Sequence, residues 1–549
     1  MDEKTFTMKK IAYIVAAGAL LLGLPANAQD IYKVESLAGE DLRGTARFVG
    51  MGGAMSSLGA DISVMGTNPA GIGMYRSSDI AVSGSVNVQP NAEDFYNIGK
   101  SRASFDQIGF VYAAQMGNSP LRFVNFGFNY HKRRNFKNFI GVDNFRTGGL
   151  SQTLEMLDLA YVGEGWPSLG EVNPSISDGW LDLGNDRDRG ATTPLTCLGY
   201  DTQLLLPVYD EASGELLGYE PCTADSYNYK RVQWGGIQQY DFNMSFNWKD
   251  RVYGGLTFGV YNVDMHSFTD YGEMLIDPST SLTHEYYLNN EEALSGNGFD
   301  FKFGLIFRPF EYSPFRFGIA VHTPTYYTLE QNAYLYMNSP FTNGDQNYTD
   351  ADVSVGDYEY KIRTPWSFNI SMATTVGNFL ALDAEYEYRN YASSSISYNV
   401  YDYDYWYDAD DVKDPALNNE ISRFMKPVST VKVGAEARLS PNLYLRLGYN
   451  YVSAPLEDDA YLNLFTSSDS YYYSTNTDYV NLGSINRVTC GLGYRGKHFY
   501  ADVAYQYQAQ QGDLYTFHVP AEDSEQNRLS AATVDLNRHN VMFTLGYKF

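Results

Sequence analysis

The chain has 549 residues, with 65 Asp and Glu against 39 Lys and Arg for a formal net charge of -26. A polyanion needs a basic face, and the densest basic cluster is Lys132-Arg133-Arg134, so nucleic acid is excluded as a partner. Tyr 48, Phe 31 and Gly 49 exceed what a water-soluble core needs and fit the aromatic girdles and polar lumen of a membrane β-barrel, even though mean hydropathy is only -0.34.

At the amino terminus, Met8-Lys9-Lys10 is a basic region, Ile11 to Leu24 an apolar one, and Ala26-Asn27-Ala28 a small-x-small cleavage site before Gln29. This predicts a secretory signal peptide over 1–28; the apolar stretch is too short for a spanning helix and ends in Pro25. No Cys follows the cleavage site to carry a lipid, and no later run of 18 or more apolar residues appears. The mature chain is therefore expected to be exported without a spanning helix.

Residues 29–79 differ from the rest of the mature chain. Thr45 to Gly73 is rich in Gly, Ala and Ser. Gly50 and Gly52 begin a dinucleotide-like pattern, but Met55 stands where the third Gly belongs and no βαβ unit follows. Small residues allow close packing against other backbone, which suits a plug.

From residue 80 onward every second residue tends to be apolar. Phe242, Met244, Phe246 and Trp248 alternate with Asp241, Asn243, Ser245 and Asn247; Leu380, Leu382, Ala384, Tyr386 and Tyr388 alternate with Asp383, Glu385, Glu387 and Arg389. Such runs predict fourteen strands, near 80–88, 105–114, 123–133, 237–248, 252–265, 298–308, 315–328, 358–373, 379–391, 428–439, 443–452, 485–494, 499–510 and 540–549. Short and long connections alternate throughout, the longest being 134–236. A β-sandwich also alternates inward and outward residues, but it explains neither that regularity nor three carboxylates on one face of a single strand. The prediction is an all-β fold: a 14-stranded antiparallel transmembrane outer-membrane β-barrel over 80–549, with the 29–79 segment as an N-terminal hatch in its lumen. The final Val541, Phe543, Leu545, Tyr547 and Phe549 resemble the carboxy-terminal signal read by the barrel-assembly machinery.

The run from Gly50 to Asp61, followed by Asn68-Pro69-Ala70 ahead of the first strand, resembles the hatch of the outer-membrane long-chain fatty-acid transporter family (FadL/TodX type), with the chain as a Bacteroidetes-like member. The resemblance implies passive diffusion of a hydrophobic compound into a lumen pocket, displacement of the hatch, and sideways exit into the membrane through a kinked third strand. Within Phe123 to Tyr130 the kink is expected at Asn125 or Gly127, because Gly marks bulges. A PorV-type binding or shuttle barrel of type IX secretion, which resembles the same family, and a surface adhesin barrel are the alternatives. A transporter calls for a continuous apolar pocket past Asn68-Pro69-Ala70, and the alternatives call for an interaction surface in the loops.

Arg43, Arg47, Arg316, Arg438 and Arg446, with Lys302 and Lys432, are candidate contacts for a ligand carboxylate. Pairing with Asp383, Glu385, Glu387, Glu436 and Asp502 is the favoured alternative for any single base, since unpaired charge is costly in an enclosed lumen. Cys197 and Cys222 share the longest loop and are a candidate disulfide in an oxidising compartment; Cys490 lies on an outward apolar face. The scattered His residues predict no metal, no cofactor is expected, and His266-Ser267 lacks the third member of a catalytic constellation, so the chain reads as no enzyme. The Asp/Tyr run from Tyr401 to Asp411 reads as either a cation or glycan contact or a solvated loop. The expected partners are a hydrophobic small-molecule ligand, outer-membrane lipid and lipopolysaccharide, and the assembly machinery, with the chain a monomer.

Overall fold

The computed structural model describes residues 31–549 apart from 97, 118–119, 161–192, 210–211, 215, 277–282, 341–348, 403–406, 463–474 and 519–528. The expected signal peptide and the side chains of the Asp/Tyr run lie outside the described residues. The alternating segments form the strands β1 (Asp79–Val88), β2 (Ser101–Gln115), β3 (Leu121–Asn135), β4 (Thr223–Trp248), β5 (Val252–Ile276) and β6 (Thr283–Phe307). Two broken strands come next, β7 (Arg316–His322, then Tyr326–Ser339) and β8 (Thr349–Arg363, then Ser367–Val376). The wall continues through β9 (Leu380–Asn390), β10 (Pro427–Arg438), β11 (Leu443–Val452), β12 (Ile485–Arg495), β13 (Phe499–Ala509) and β14 (Arg538–Lys548). Each pairs antiparallel with the next, and β1 pairs with β14 from Asp79↔Lys548 to Val88↔His539, so the fourteen-stranded sheet closes on itself. Ser78 and Phe549 exchange backbone hydrogen bonds of 3.0–3.1 Å at the seam, which ties both ends of the wall to one rim.

The outward residues make a belt. Phe242, Met244, Phe246 and Trp248 of β4, Phe299 to Phe307 of β6, Ile370 and Met372 of β8, and Val488, Leu492 and Tyr494 of β12 point away from the lumen and are exposed. In water such a contiguous apolar surface would drive association; around a closed barrel it is the face that meets hydrocarbon. On β4 the belt occupies the last nine or so residues, the length a tilted strand needs to cross a bilayer.

The structure corrects the reading of the longest connection. β4, β5 and β6 run for 26, 25 and 25 residues and continue far beyond the belt, so much of 134–236 is strand, including Asn138–Arg146, which pairs with β4. The outward apolar pattern ends near Gly235, whose φ of 95° belongs to the left-handed region that favours glycine, although odd-numbered residues face inward on both sides of it. A reading by outward apolar residues stops there.

The inward faces of these extensions carry Tyr227, Tyr229, Tyr271, Tyr286 and Leu288, which pack with Leu335 and Met337 of β7 and with Met156, Leu195, Leu198, Leu514 and Phe517 into a hydrophobic core over the lumen. This cap contains α-helices Gln152–Ala160 and Pro194–Asp201. The expected Cys197–Cys222 disulfide is not formed: Cys197 is buried in the second of these helices, while the Cys222 thiol, just before β4, donates to the Leu204 carbonyl at 3.4 Å. Both thiols pack as small apolar groups.

Glu273 of β5, well above the belt, is fully buried in the cap. It accepts from Ser151 Oγ (2.8 Å), the Tyr271 hydroxyl (3.0 Å) and the Gln152 amide at the start of the first cap helix (3.2 Å). Burial outweighs these donors and pushes its pKa up to about 7. A carboxyl raised on folding contributes stability that is complete at pH 4 and lost as pH rises through 7. Hydrogen exchange in Gln152–Met156 is therefore expected to be slower at pH 5 than at pH 8 after correction for intrinsic rates. Glu273→Gln should remove that difference, and an equal pH dependence in wild type and variant would refute the assignment.

Candidate functional site

The hatch is built from short, well-capped pieces. Helix Ile31–Ala38 packs Ile31, Val34 and Leu37 against Tyr261, Tyr327 and Tyr360 of the wall and Ile421 and Phe424 of helix Pro415–Phe424. Thr45 caps the turn Ala46–Gly50, and Asp61 caps Ile62–Gly66. Asn68 accepts from the Ala70 amide at 3.1 Å, with Pro69 opening the turn Pro69–Met74. Asn-Pro-Ala is thus a capped helix start: Asn satisfies an otherwise orphan N–H and Pro brings none.

Inward glycines of the wall receive this segment. A side chain at Gly255 or Gly304 would strike Pro69 or Asn68, and one at Gly434 or Gly448 would strike the backbone of Met51 or Gly52. Strands with ordinary residues there would hold the hatch several ångströms away.

Two wall carboxylates fasten the hatch. Glu385 Oε1 accepts from the amides of Met55 (2.6 Å) and Ser56 (2.5 Å); Asp383 Oδ2 accepts from those of Ser57 (3.2 Å) and Leu58 (2.8 Å). Four successive backbone donors thereby gain partners that water would otherwise supply. The candidate bases are largely taken. Arg47 pairs with Glu436 (2.9 Å), which also takes Arg446 (2.7 Å), and Arg446 reaches Asp502 (2.7 Å). Lys302 bridges Asp300 (2.8 Å) and Asp241 (3.2 Å), while Lys432 lies between Glu387 (3.1 Å) and Glu385 (3.5 Å). Arg316 donates to the Leu58 carbonyl at 2.8 Å. Arg438 sits apart, bonded to the Ser440 and Pro441 carbonyls of an exposed turn. On the hatch, enclosure raises the pKa of Glu40, but Arg389 and Arg133, each 2.9 Å away, more than offset it and hold it at about 2.

The third strand is not broken where the residues suggested. β3 is paired with β2 and β4 on both sides through Asn125 and Gly127. Asn125 donates to the Ile72 and Tyr75 carbonyls (2.7 and 3.1 Å), and Gly127 leaves room for Met65, so both serve hatch packing. β3 shifts register against β4 only near its ends, between Leu121 and Phe123 and between Lys132 and Arg134, and β2 is irregular as well. Asp106 and Gln107 are consecutive and both fully buried, and the register against β1 shifts there, the mark of a bulge. The β2–β3 ladder runs only from Gln107↔His131 to Gln115↔Phe123. Beyond it, β2 continues against β1 and β3 against β4, and Lys132 Nζ reaches Ser104 Oγ at 3.1 Å across the parting. Hatch residue Arg43 pairs with Asp106 from inside. The break in alternation at Asp106-Gln107 was legible in the sequence; that two neighbours separate there was not.

Asn68 and Ala70 are fully buried against the wall, so the expected apolar pocket does not pass them. A cavity of about 180 Å³ lies between the first hatch helix and the cap. Met265, Val480, Leu482 and Leu536 line one part of it, and Lys33, Glu35, Arg231 and Asp478 another.

Replacing both Asp383 and Glu385 by Ala should free the hatch without opening the wall. A hydrogen bond to a charged group is worth roughly 1.5–3 kcal/mol, so the double variant is expected to show conductance bursts in planar bilayers and faster proteolysis near Met55, with unchanged barrel migration on unheated gels. A silent bilayer and an uncut hatch would refute the anchoring role.

No family model and no curated protein matches the chain. Among solved structures it is similar to a FadL homologue from Pseudomonas aeruginosa (11% identity, 93% of this chain and 99% of that chain, TM-score 0.49). It is also similar to the toluene transporter TbuX of Ralstonia pickettii (13%, 92% and 98%, TM-score 0.43) and to the toluene transporter TodX of P. putida (12%, 93% and 99%, TM-score 0.44).

Proposed function

We propose that the chain is a passive outer-membrane channel for hydrophobic compounds such as long-chain fatty acids. In this reading the ligand passes the cap, rests between cap and hatch, and leaves sideways into the bilayer once the hatch shifts. The observation that carries the reading is the parting of β2 from β3 at the Asp106 bulge, beside the hatch residue Arg43. Lateral release keeps an apolar solute out of periplasmic water, and no energy source is needed when the solute runs down its own gradient. In this reading the exit lies in the upper part of the β2–β3 seam rather than at Asn125 and Gly127. The filled lumen is the shut state, and breaking the Arg43–Asp106 pair is the opening step.

A second reading, a binding or shuttle barrel, is favoured by one observation: the mouth is closed by a packed cap with its own core. Uptake separates the two. Cells carrying the protein are expected to accumulate labelled long-chain fatty acid faster than cells without it, and Asp106→Asn should change that rate severalfold while the barrel still inserts. Equal accumulation with and without the protein, across fatty acids and aromatic hydrocarbons, would sink the transport reading and leave the shuttle.

A further inference from the structure

Near the seam between β2 and β3, at the extracellular end of the wall, cations gather without matching acids. Arg43 of the hatch, Lys137 between β3 and the short strand Asn138–Arg146, and Arg538 at the start of β14 line a small cavity of about 30 Å³ under the β1–β2 connection. Arg538 also lines the larger cavity beside Arg487 of β12. The acids in reach are already engaged: Asp106 and Asp41 pair with Arg43, Asp41 also accepts from the Asn135 amide (2.9 Å), and Glu93 is held by Lys230 (3.2 Å). Arg134 pairs with Glu35.

The remaining three cations make no ion pair of their own among the described residues; Asp41, whose charge reaches Arg487 and Arg538, is shared with Arg43 and Arg134. Arg487 donates to Gln508 Oε1 and Asn450 Oδ1, both at 2.9 Å, and to the Glu40 carbonyl at 3.4 Å. Lys137 Nζ and Arg538 Nε are buried without a hydrogen-bond partner among the described residues. Burial, then the charges of Arg102 and Arg538, push the Lys137 ammonium down to about 8. Enclosed charge without a counter-charge is costly, and a chain of net charge -26 has acids to spare for neutralising it. Elsewhere in the lumen it does so, as at Arg47–Glu436 and Arg446–Asp502.

We infer that Lys137, Arg487 and Arg538 form a binding site for a phosphate group. Three cations exceed what one carboxylate neutralises, whereas phosphate carries close to two charges and several acceptor oxygens that guanidinium forks and an ammonium can share. Val88, Ala92 and Ile98 border the small cavity and give the group an apolar shoulder. The phosphate reaches the site either as the headgroup of a lipid in the outer leaflet, through the parted seam, or as a free anion from the extracellular side.

The test uses the full-length protein in detergent, with Arg538→Gln and Lys137→Gln variants and Arg438→Gln as a control on the exposed turn. Titration with inorganic phosphate, followed by phosphorus NMR, reads the free anion. Native mass spectrometry after incubation with lipopolysaccharide and with its enzymatically dephosphorylated form reads the lipid. The wild type is expected to bind one of these probes at least tenfold more tightly than either Gln variant, with Arg438→Gln unchanged. Saturation by inorganic phosphate assigns the free anion; retention of phosphorylated lipid alone assigns the headgroup. Arg538→Lys, which keeps the charge, should retain most of the binding and so separates loss of the site from loss of the fold. Equal binding of both probes by wild type and Gln variants, or no binding by any, would overturn the site.

Discussion

Closing fourteen strands into a wall pairs each strand with both neighbours, yet the wall encloses more space than its own side chains can fill. That mismatch governs the rest of the molecule. A segment of small residues fills the lower lumen, an extension of the longest strands fills the mouth, and what is left between them is the cavity. The wall and its filling are matched residue by residue: glycines at the points of closest approach, and Asp383 and Glu385 where the hatch presents bare amides.

Most charges inside keep company, and Lys137, Arg487 and Arg538 are the exception. The lumen bases are spent on Glu436, Asp502, Glu387 and Asp300, and the hatch is stitched to the wall by Arg47–Glu436, Arg43–Asp106 and Lys33–Glu292. The proposed channel function requires a hatch that can move, and polar fastening suits that. Ion pairs and hydrogen bonds to backbone amides can be exchanged for water, whereas an apolar plug of the same size would leave a large surface exposed on moving. A polar interface therefore suits a part that must leave its seat for anything to pass.

Legibility differed sharply between wall and site. All fourteen strands could be found by alternation, since lipid outside and water or hatch inside impose a period of two. The extents of β4, β5 and β6 could not, since beyond the belt a cap packs inside and solvent lies outside, so that the apolar residues move from the outer face to the inner one. Asn68-Pro69-Ala70 was recognisable as a unit, but its work as a helix cap against Gly304 needed coordinates. Asn125 and Gly127 looked like a break and proved to be a seat for the hatch; Asp106 and Gln107, two inward residues in a row, were the better signal for an irregular wall. Cys197 and Cys222 share a loop, but shared sequence neighbourhood carries no information on whether two thiols meet in space.

By itself, the sequence determined the period, the number of crossings and the compact composition of the plug, because these follow from local rules about which side chains tolerate lipid, water or close backbone. Only the tertiary structure decided which base meets which acid, where two neighbouring strands part, and which cations are left over. Those depend on residues hundreds of positions apart, such as Arg47 and Glu436 or Lys137 and Arg538, whose encounter is set by the closure of the barrel around its hatch and by nothing in their own surroundings along the chain.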